Sequence, residues 1–197
     1  MFVVKYVRTL FMFLILMALT ACQDESRSPI EIDMYNPDGD SLGKATLAED
    51  PNGVKITLNL SGLKPGLHGI HVHEFPKCDG PDFKSAGNHL NPDSKLHGLM
   101  HPEGPHLGDM PNIEADPDGK LSDVEVTVQE ATLKDGKKSL LKGEGTSLII
   151  TEEQDDGITQ PAGNSGKRMA CGKITLGESN ESETPSNPAD DGPQKEE

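Results

Sequence analysis

Short runs in which apolar and polar residues alternate recur along the chain and predict β-strands. Residues 54–60 alternate throughout, as a strand with one buried face requires. Turn residues such as Gly, Pro, Asp and Asn separate this run from its neighbours, and no stretch of the mature chain has helical periodicity. Further strands are predicted over residues 30–35, 43–48, 68–74, 121–128, 132–133, 148–151 and 169–176. About eight short strands without a helix predict one all-β sandwich or barrel.

The first 21 residues are predicted to be a signal peptide rather than part of the fold. A short basic start precedes an apolar run at residues 10–19, which is too short to span a membrane. The run ends in Leu-Thr-Ala-Cys at Cys22, which resembles the bacterial lipobox that is cut before a lipid-modified cysteine. An ordinary secretory signal followed by a chance cysteine is the alternative. We expect an extracytoplasmic protein that is lipid-anchored to a bacterial membrane through Cys22.

The composition divides the remainder into three parts. They are a polar tether at 22–29, a β domain at 30–176 and a disordered acidic tail at 177–197. The chain has a formal net charge of −15, of which the tail carries −6. This charge excludes nucleic acid as a partner and opposes binding to anionic membranes.

Histidines cluster in one part of the sequence in a way that predicts metal binding. The chain holds 7 histidines, and six of them lie within residues 71–109, where five of the six are spaced with Asp109 as metal ligands. His71 and His73 are two residues apart, so a strand would project both to one face. Neutral imidazoles with one carboxylate suit zinc and copper better than magnesium or calcium. The alternative is a set of surface histidines in a polar loop.

These residues resemble those of the copper/zinc superoxide dismutases over roughly residues 44–176. The resemblance implies an eight-stranded Greek-key β-barrel or sandwich with two long loops, at 75–119 and 152–167. It implies copper ligands at His71 and His73 and a bridging histidine at His89. The implied zinc ligands are His89, His97, His106 and Asp109. His68 and His101 match no ligand position and are expected to face solvent or to lie behind the ligands.

The segment at 163–172 resembles the family segment that carries a substrate-guiding arginine and a disulfide cysteine. By position these roles fall to Arg168 and Cys171. Asp155 matches an aspartate that links a copper-ligand histidine to a zinc-ligand histidine. A general role of this kind, orienting metal-bound imidazoles, is common for carboxylates. A solvated acid at Asp155 and a salt-bridged surface arginine at Arg168 are the alternatives.

One position departs from the family pattern. The late apolar strand ends in Thr151, where the family has its fourth copper-ligand histidine, and no spare histidine lies nearby in sequence. Because Cu(II) prefers four strong nitrogen ligands, we expect copper binding to be weakened and Cu(II) to suffer more than Cu(I).

The cysteine count predicts one disulfide. Three cysteines are odd for an exported protein, and a lipid on Cys22 leaves Cys78 and Cys171 as a pair. Export into an oxidising compartment favours a bond between them, and the resemblance implies the same pair. Two buried free thiols are the alternative.

The resemblance therefore implies a superoxide dismutase that converts superoxide to oxygen and hydrogen peroxide with reduced activity, using zinc and weakly held copper. Arg168 and His89 are its expected catalytic residues. The competing hypothesis is a non-catalytic, zinc-stabilised lipoprotein that sequesters copper or zinc. The sequence leaves a homodimer open.

Overall fold

The computed structural model describes residues 29–176, and this part of the chain is all-β. The strands are β1 (Ile30–Tyr35), β2 (Ser41–Asp50), β3 (Gly53–Ser61), β4 (Gly66–His68), β5 (Ile70–His73), β6 (Ile113–Ala115), β7 (Lys120–Gln129), β8 (Thr146–Thr151) and β9 (Arg168–Ile174). A single turn of 3₁₀ helix covers Lys84–Ala86. The signal peptide, tether up to residue 28 and acidic tail predicted above lie outside the described residues.

Seven strands form one antiparallel sheet in the order β5-β8-β9-β1-β2-β3-β7, while β4 and β6 pair separately. The large sheet curls into a half-barrel, which confirms the predicted all-β class. Neighbours such as β3 and β7 are far apart in sequence, so long connections join the strands. Within residues 29–176, no helix is long and apolar enough to cross a membrane.

The alternating pattern of β3 accounts for how the sheet buries its inner face. Val54, Ile56, Leu58 and Leu60 are each at most 4% exposed, and all belong to the main core. The residues between them are half-buried or exposed. Complete burial of one such side chain stabilises a fold by about 1.5–3 kcal/mol.

Three strands differ from the prediction. The predicted strand at 68–74 is divided at Gly69, because β4 pairs with β6 whereas β5 pairs with β8. β6 lies inside the long loop predicted at 75–119 and brings the total to nine strands. The predicted strand at 132–133 is wrong, since Thr132 makes only an isolated bridge to Ser139.

The register of β9 places the two ends of the described chain together. Tyr35 of β1 pairs with Cys171 in antiparallel fashion, so Ile30 and Ile174 lie at the same end of the sheet. Arg168 pairs with Thr151 at the other end of β9. At about 3.3 Å per residue, the length of β9 separates these two ends by about 20 Å.

Candidate metal centre

β5 supplies the fixed part of a cluster of histidines. His71 and His73 lie on it and are at most 2% exposed. Isolated bridges join His71 to Asp109 and His73 to His89, which hold two loop residues against the strand. The long loop therefore folds back along β5, and residues that are distant in sequence meet there.

Two groups of side chains are close enough for each to hold one metal ion. One consists of His71, His73 and His89, and the other of His89, His97, His106 and Asp109. Within each group the candidate ligand atoms lie within 4.8 Å of one another. His89 belongs to both groups, and its ring stacks on that of His71 with centroids 4.0 Å apart. The structure thus assembles the residues that the sequence singled out as metal ligands.

The first group presents free ring nitrogens in a defined protonation state. His73 Nδ1 is 3.0 Å from the carbonyl oxygen of Gly87, so that nitrogen carries the hydrogen. His73 Nε2 is then a bare lone pair, and it is buried without a hydrogen-bond partner. His71 has the opposite arrangement, because its Nε2 donates to Asp155 and its Nδ1 is buried without a partner. Such orphaned lone pairs are what a metal ion would satisfy.

Burial keeps two imidazoles of this group, those of His73 and His89, neutral. It lowers the pKa of His73 well below its ordinary value, and the charges of His89 and Arg168 lower it further. Burial also lowers the pKa of His89 to about 4, although Asp109 opposes this. Since metal binding requires unprotonated nitrogen, both rings are ready ligands at neutral pH.

In the second group three imidazoles surround one carboxylate. Asp109 Oδ1 lies 2.8 Å from His89 Nδ1 and 3.3 Å from His106 Nδ1, while Oδ2 lies 3.1 Å from His97 Nδ1. The last two contacts fall within ion-pair distance but lack hydrogen-bond geometry, so His97 Nδ1 and His106 Nδ1 remain unpartnered. Three imidazole nitrogens and one carboxylate oxygen form a set of four ligand atoms that suits zinc.

The charges of the second group are strongly coupled. Burial disfavours the ionised Asp109, but the close imidazoles of His106, His89 and His97 hold the pKa of that carboxyl far below its usual range. Burial would likewise lower the pKa of His97, yet Asp109 and Asp155 raise it to about 9. The group therefore attracts positive charge, which a divalent cation would supply.

Asp155 connects the two groups. Its Oδ2 is 2.7 Å from His71 Nε2, and its Oδ1 is 3.1 Å from His97 Nε2. The side chain of Asn112 holds Asp155 in place. It accepts a hydrogen bond from the backbone N–H of Asp155 and donates one to the backbone carbonyl of Asp155. A Cβ at Gly163 would lie 1.8 Å from Asp155 Oδ1, so only glycine fits there. Gly163 and Asn112 are positioning residues that the sequence analysis missed, since no periodicity marks them.

Thr151 is buried beside the first group but is engaged with the backbone. Its Oγ1 lies 3.2 Å from the carbonyl oxygens of both Gly69 and Glu153, to either of which it can donate. A Cβ on Gly69 would lie 2.6 Å from Thr151 Oγ1 and 3.0 Å from His71 Cε1, which places the hydroxyl next to the His71 ring. Among the residues described, no His, Cys, Asp or Glu joins the three histidines as a fourth ligand.

Arg168 lies next to the first group and is oriented by the backbone. Its Nη1 donates to the carbonyl of Phe83 at 2.6 Å and its Nη2 to that of Gly87 at 2.8 Å. The Gly87 carbonyl also accepts from His73 Nδ1, so one oxygen orients both side chains. The guanidinium is half-buried, and burial lowers the pKa of Arg168. A fixed cation therefore lies close to the metal-binding nitrogens.

A disulfide between Cys78 and Cys171 ties the loop around Phe83 to β9, as the sequence predicts. Phe83, Ala86 and Ile149 pack with Cys171 in a small buried cluster. This cluster fixes the backbone carbonyl to which Arg168 donates.

Neither remaining histidine joins a metal-binding group, but His68 is buried, not solvated. It is 1% exposed, and its Nδ1 and Nε2 lie 2.8 Å and 2.7 Å from the carbonyl oxygens of Thr151 and Lys64. It ties the end of β8 to the turn before β4. His101 is half-buried and accepts a hydrogen bond from the backbone of Glu103.

Residues 41–174 match the family model described as copper/zinc superoxide dismutase. A copper/zinc superoxide dismutase from Aquifex aeolicus is 51% identical over 144 residues, which cover 72% of this chain and 85% of that protein. A superoxide dismutase-like protein from Bacillus subtilis is 40% identical over 146 residues, covering 73% of this chain and 74% of the other.

Solved structures agree with these matches. A crystal structure of the Bacillus subtilis protein, in which a tyrosine and a proline are each replaced by histidine, matches with a TM-score of 0.71 and 40% identity. The match covers 74% of this chain and 96% of the Bacillus subtilis chain. The copper/zinc superoxide dismutase of Brucella abortus matches with a TM-score of 0.62 and 32% identity, over 75% and 99% of the respective chains.

Proposed function

Since the chain belongs to the copper/zinc superoxide dismutase family, we propose that it is a superoxide dismutase that works with a three-histidine copper site. Copper would be held by His71, His73 and His89. Zinc would be held by His89, His97, His106 and Asp109. The bound copper ion would supply the one-electron oxidation and reduction that superoxide dismutation requires, and zinc would supply structural support and fixed charge.

The single observation that supports this proposal is the set of orphaned ring nitrogens. His71 Nδ1, His73 Nε2, His97 Nδ1 and His106 Nδ1 are buried without a hydrogen-bond partner. Leaving a buried polar atom unsatisfied costs about 1–3 kcal/mol. Four such atoms in two groups, each facing other candidate ligands, fit two metal ions.

The chain itself would bind and orient the substrate. Arg168 offers a fixed positive charge to an anion that approaches His73 and His89. His89 Nδ1 lies 2.8 Å from Asp109 of the second group, so Nε2 is the ring nitrogen that would hold a proton while Nδ1 is engaged there. Peroxide formation consumes protons, and His89 is placed to deliver one.

Thr151 supports the view that the reaction is slow. Its hydroxyl is held by backbone carbonyls, so the copper site has three protein ligands rather than four. The same observation favours the second candidate, a zinc-stabilised protein that binds copper or zinc without turnover. The intact Arg168 and Asp155 favour the enzyme.

Metal analysis paired with a superoxide assay tests the proposal. We expect the purified protein, loaded with both metals, to bind one zinc and one copper ion and to consume superoxide measurably. Thr151→His should tighten Cu(II) binding and raise the rate, whereas Thr159→His, on an exposed loop position, should change neither. Binding of both metals without any superoxide consumption would favour the sequestration hypothesis. Failure to bind zinc would contradict both.

We further propose that the mature protein is anchored outside the cytoplasm by lipid on Cys22. This rests on the sequence of the first 22 residues alone. Cys22→Ser should move the protein from the membrane fraction to the soluble fraction. Unchanged membrane association of that variant would contradict the anchor.

A further inference from the structure

A cavity of about 790 Å³ has Arg168 in its lining. It opens where the turn after β1, the turn after β3, the loop beyond Cys78 and the start of β9 meet. Its lining residues are Asn36, Pro37, Leu42, Gly62, Leu63, Pro81, Asp82, Lys84, Glu152, Gly166, Lys167, Arg168 and Met169. None of the candidate metal ligands belongs to this lining. The volume is within the range of about 300–1,000 Å³ that small-molecule sites occupy.

Part of the lining of this cavity is apolar. Leu42 and Leu63 are 8% and 6% exposed and belong to the main core, so the cavity borders the inner face of the sheet. Met169, Pro37 and Pro81 add to this apolar surface. Such a surface favours contact with an aliphatic or aromatic body.

The charges of the lining are only partly balanced. Asp82 pairs with Lys84 at 2.6 Å, and Glu152 pairs with Lys64. Asp82 and Glu152 act on Arg168 and Lys167 only from beyond ion-pair distance, and Lys167 is exposed. The lining therefore has three cations for two carboxylates, both already paired, in a domain that is acidic overall.

We infer that this cavity binds a small amphipathic carboxylate, with its apolar body against Leu42, Leu63 and Met169 and its carboxylate at Lys167 and Arg168. A lining that combines apolar side chains with two adjacent cations selects for a molecule that has both an apolar and an anionic part. A short carboxylate without a chain would lose the apolar contact, and an uncharged alcohol of equal length would lose the charge interaction.

Isothermal titration of the full-length protein with decanoate tests this inference. We expect one molecule to bind per chain, and acetate and decanol each to bind more than tenfold more weakly, since each buried methylene contributes about 0.8 kcal/mol. Lys167→Glu should weaken decanoate binding about tenfold, as expected for reversal of one exposed charge.

Lys173→Glu is the matched control. It makes the same change of charge on β9, at an exposed position near the far end of that strand from the cavity. Its affinity for decanoate should equal that of the unchanged protein. Equal weakening by both variants would show a general charge effect and overturn the inference. So would decanol binding as tightly as decanoate, or no decanoate binding at all.

Discussion

Replacing Asp155 by asparagine should weaken copper binding more than zinc binding, and the structure gives the reason. The backbone N–H of Gly157 donates to Asp155 Oδ1 at 2.6 Å. In Asp155→Asn the amide oxygen must take the Oδ1 position, since an NH₂ group there would place two hydrogen-bond donors against each other, itself and the Gly157 N–H. The NH₂ group therefore takes the place of Oδ2, which faces His71 Nε2.

This exchange reverses the tautomer of one ring. His71 Nε2, which donates to Asp155 in the unchanged protein, would meet a donor and would have to lose its hydrogen. The hydrogen moves to His71 Nδ1, the buried atom without a hydrogen-bond partner that would bind copper. His97 Nε2 keeps an oxygen acceptor at the Oδ1 position of residue 155, so the second group, which would hold zinc, is little disturbed.

The size of the effect follows from other metal sites. Loss of an outer carboxylate partner costs about 10–100-fold in metal affinity, which corresponds to about 1.4–2.7 kcal/mol. Cu(I) affinity should fall by this factor in a competition titration against bicinchoninate. Zinc affinity, measured against a chromogenic chelator, should fall less than threefold. Imidazole ¹⁵N spectra of the metal-free variant should show the hydrogen of His71 on Nδ1.

Asp156→Asn is the control for this substitution. Asp156 is the exposed neighbour, and its carboxylate accepts from the backbone of Ile158 and from the backbone and side chain of Thr159, none of them a candidate metal ligand. It should leave both affinities unchanged. If Asp155→Asn weakened zinc more than copper, or if both variants behaved alike, the argument from amide orientation would be refuted.

Three further predictions concern the zinc group, the disulfide and pH. Asp109→Ala should lower zinc affinity by more than the 10–100-fold that is typical when a residue hydrogen-bonded to a metal ligand is lost. It should also speed hydrogen exchange in the loop at 75–119. Unchanged zinc affinity would remove Asp109 from the ligand set. The Cys78–Cys171 bond closes a separation of 93 residues, so its reduction should lower the free energy of unfolding by about 4–5 kcal/mol. In calorimetry the melting temperature should fall by on the order of 10 °C. An unchanged transition would contradict this. In the metal-free protein the pKa of His97 is raised to about 9 from 6.5, so its contribution to stability is complete below pH 6.5 and is lost as pH rises through 9. The melting temperature of the metal-free protein should fall over that range and that of the zinc-loaded protein should not, and a rise in the metal-free protein would reverse the assigned sign.

The parts of this molecule that could be predicted from sequence are those with a local signal. The period of two in residues 54–60 predicts β3, and the same period places His71 and His73 on one face. The clustering of histidines in residues 71–109 predicted metal ligands, and the family resemblance divided the candidate ligands between two ions. The odd cysteine count predicted the bond that the structure contains.

The remaining features depend on contacts between distant segments. The division of one predicted strand at Gly69 follows from two different partners, β6 and β8, and β6 has only three residues. The burial of His68 is set by the carbonyls of Lys64 and Thr151, and the latter is 83 residues away. The carbonyl of Gly87 orients both His73 and Arg168, and a backbone atom leaves no trace in side-chain patterns.

The shared end of β1 and β9 determines what can be attached to this domain without covering its metal-binding groups. Ile30 and Ile174 lie at one end of the sheet, and Arg168 lies at the other, about 20 Å away along β9. A fluorophore, affinity tag or surface linker joined before Pro29 or after Leu176 would therefore leave the approach to Arg168 open. Immobilising the protein through either end should orient every molecule with the same face towards the solution.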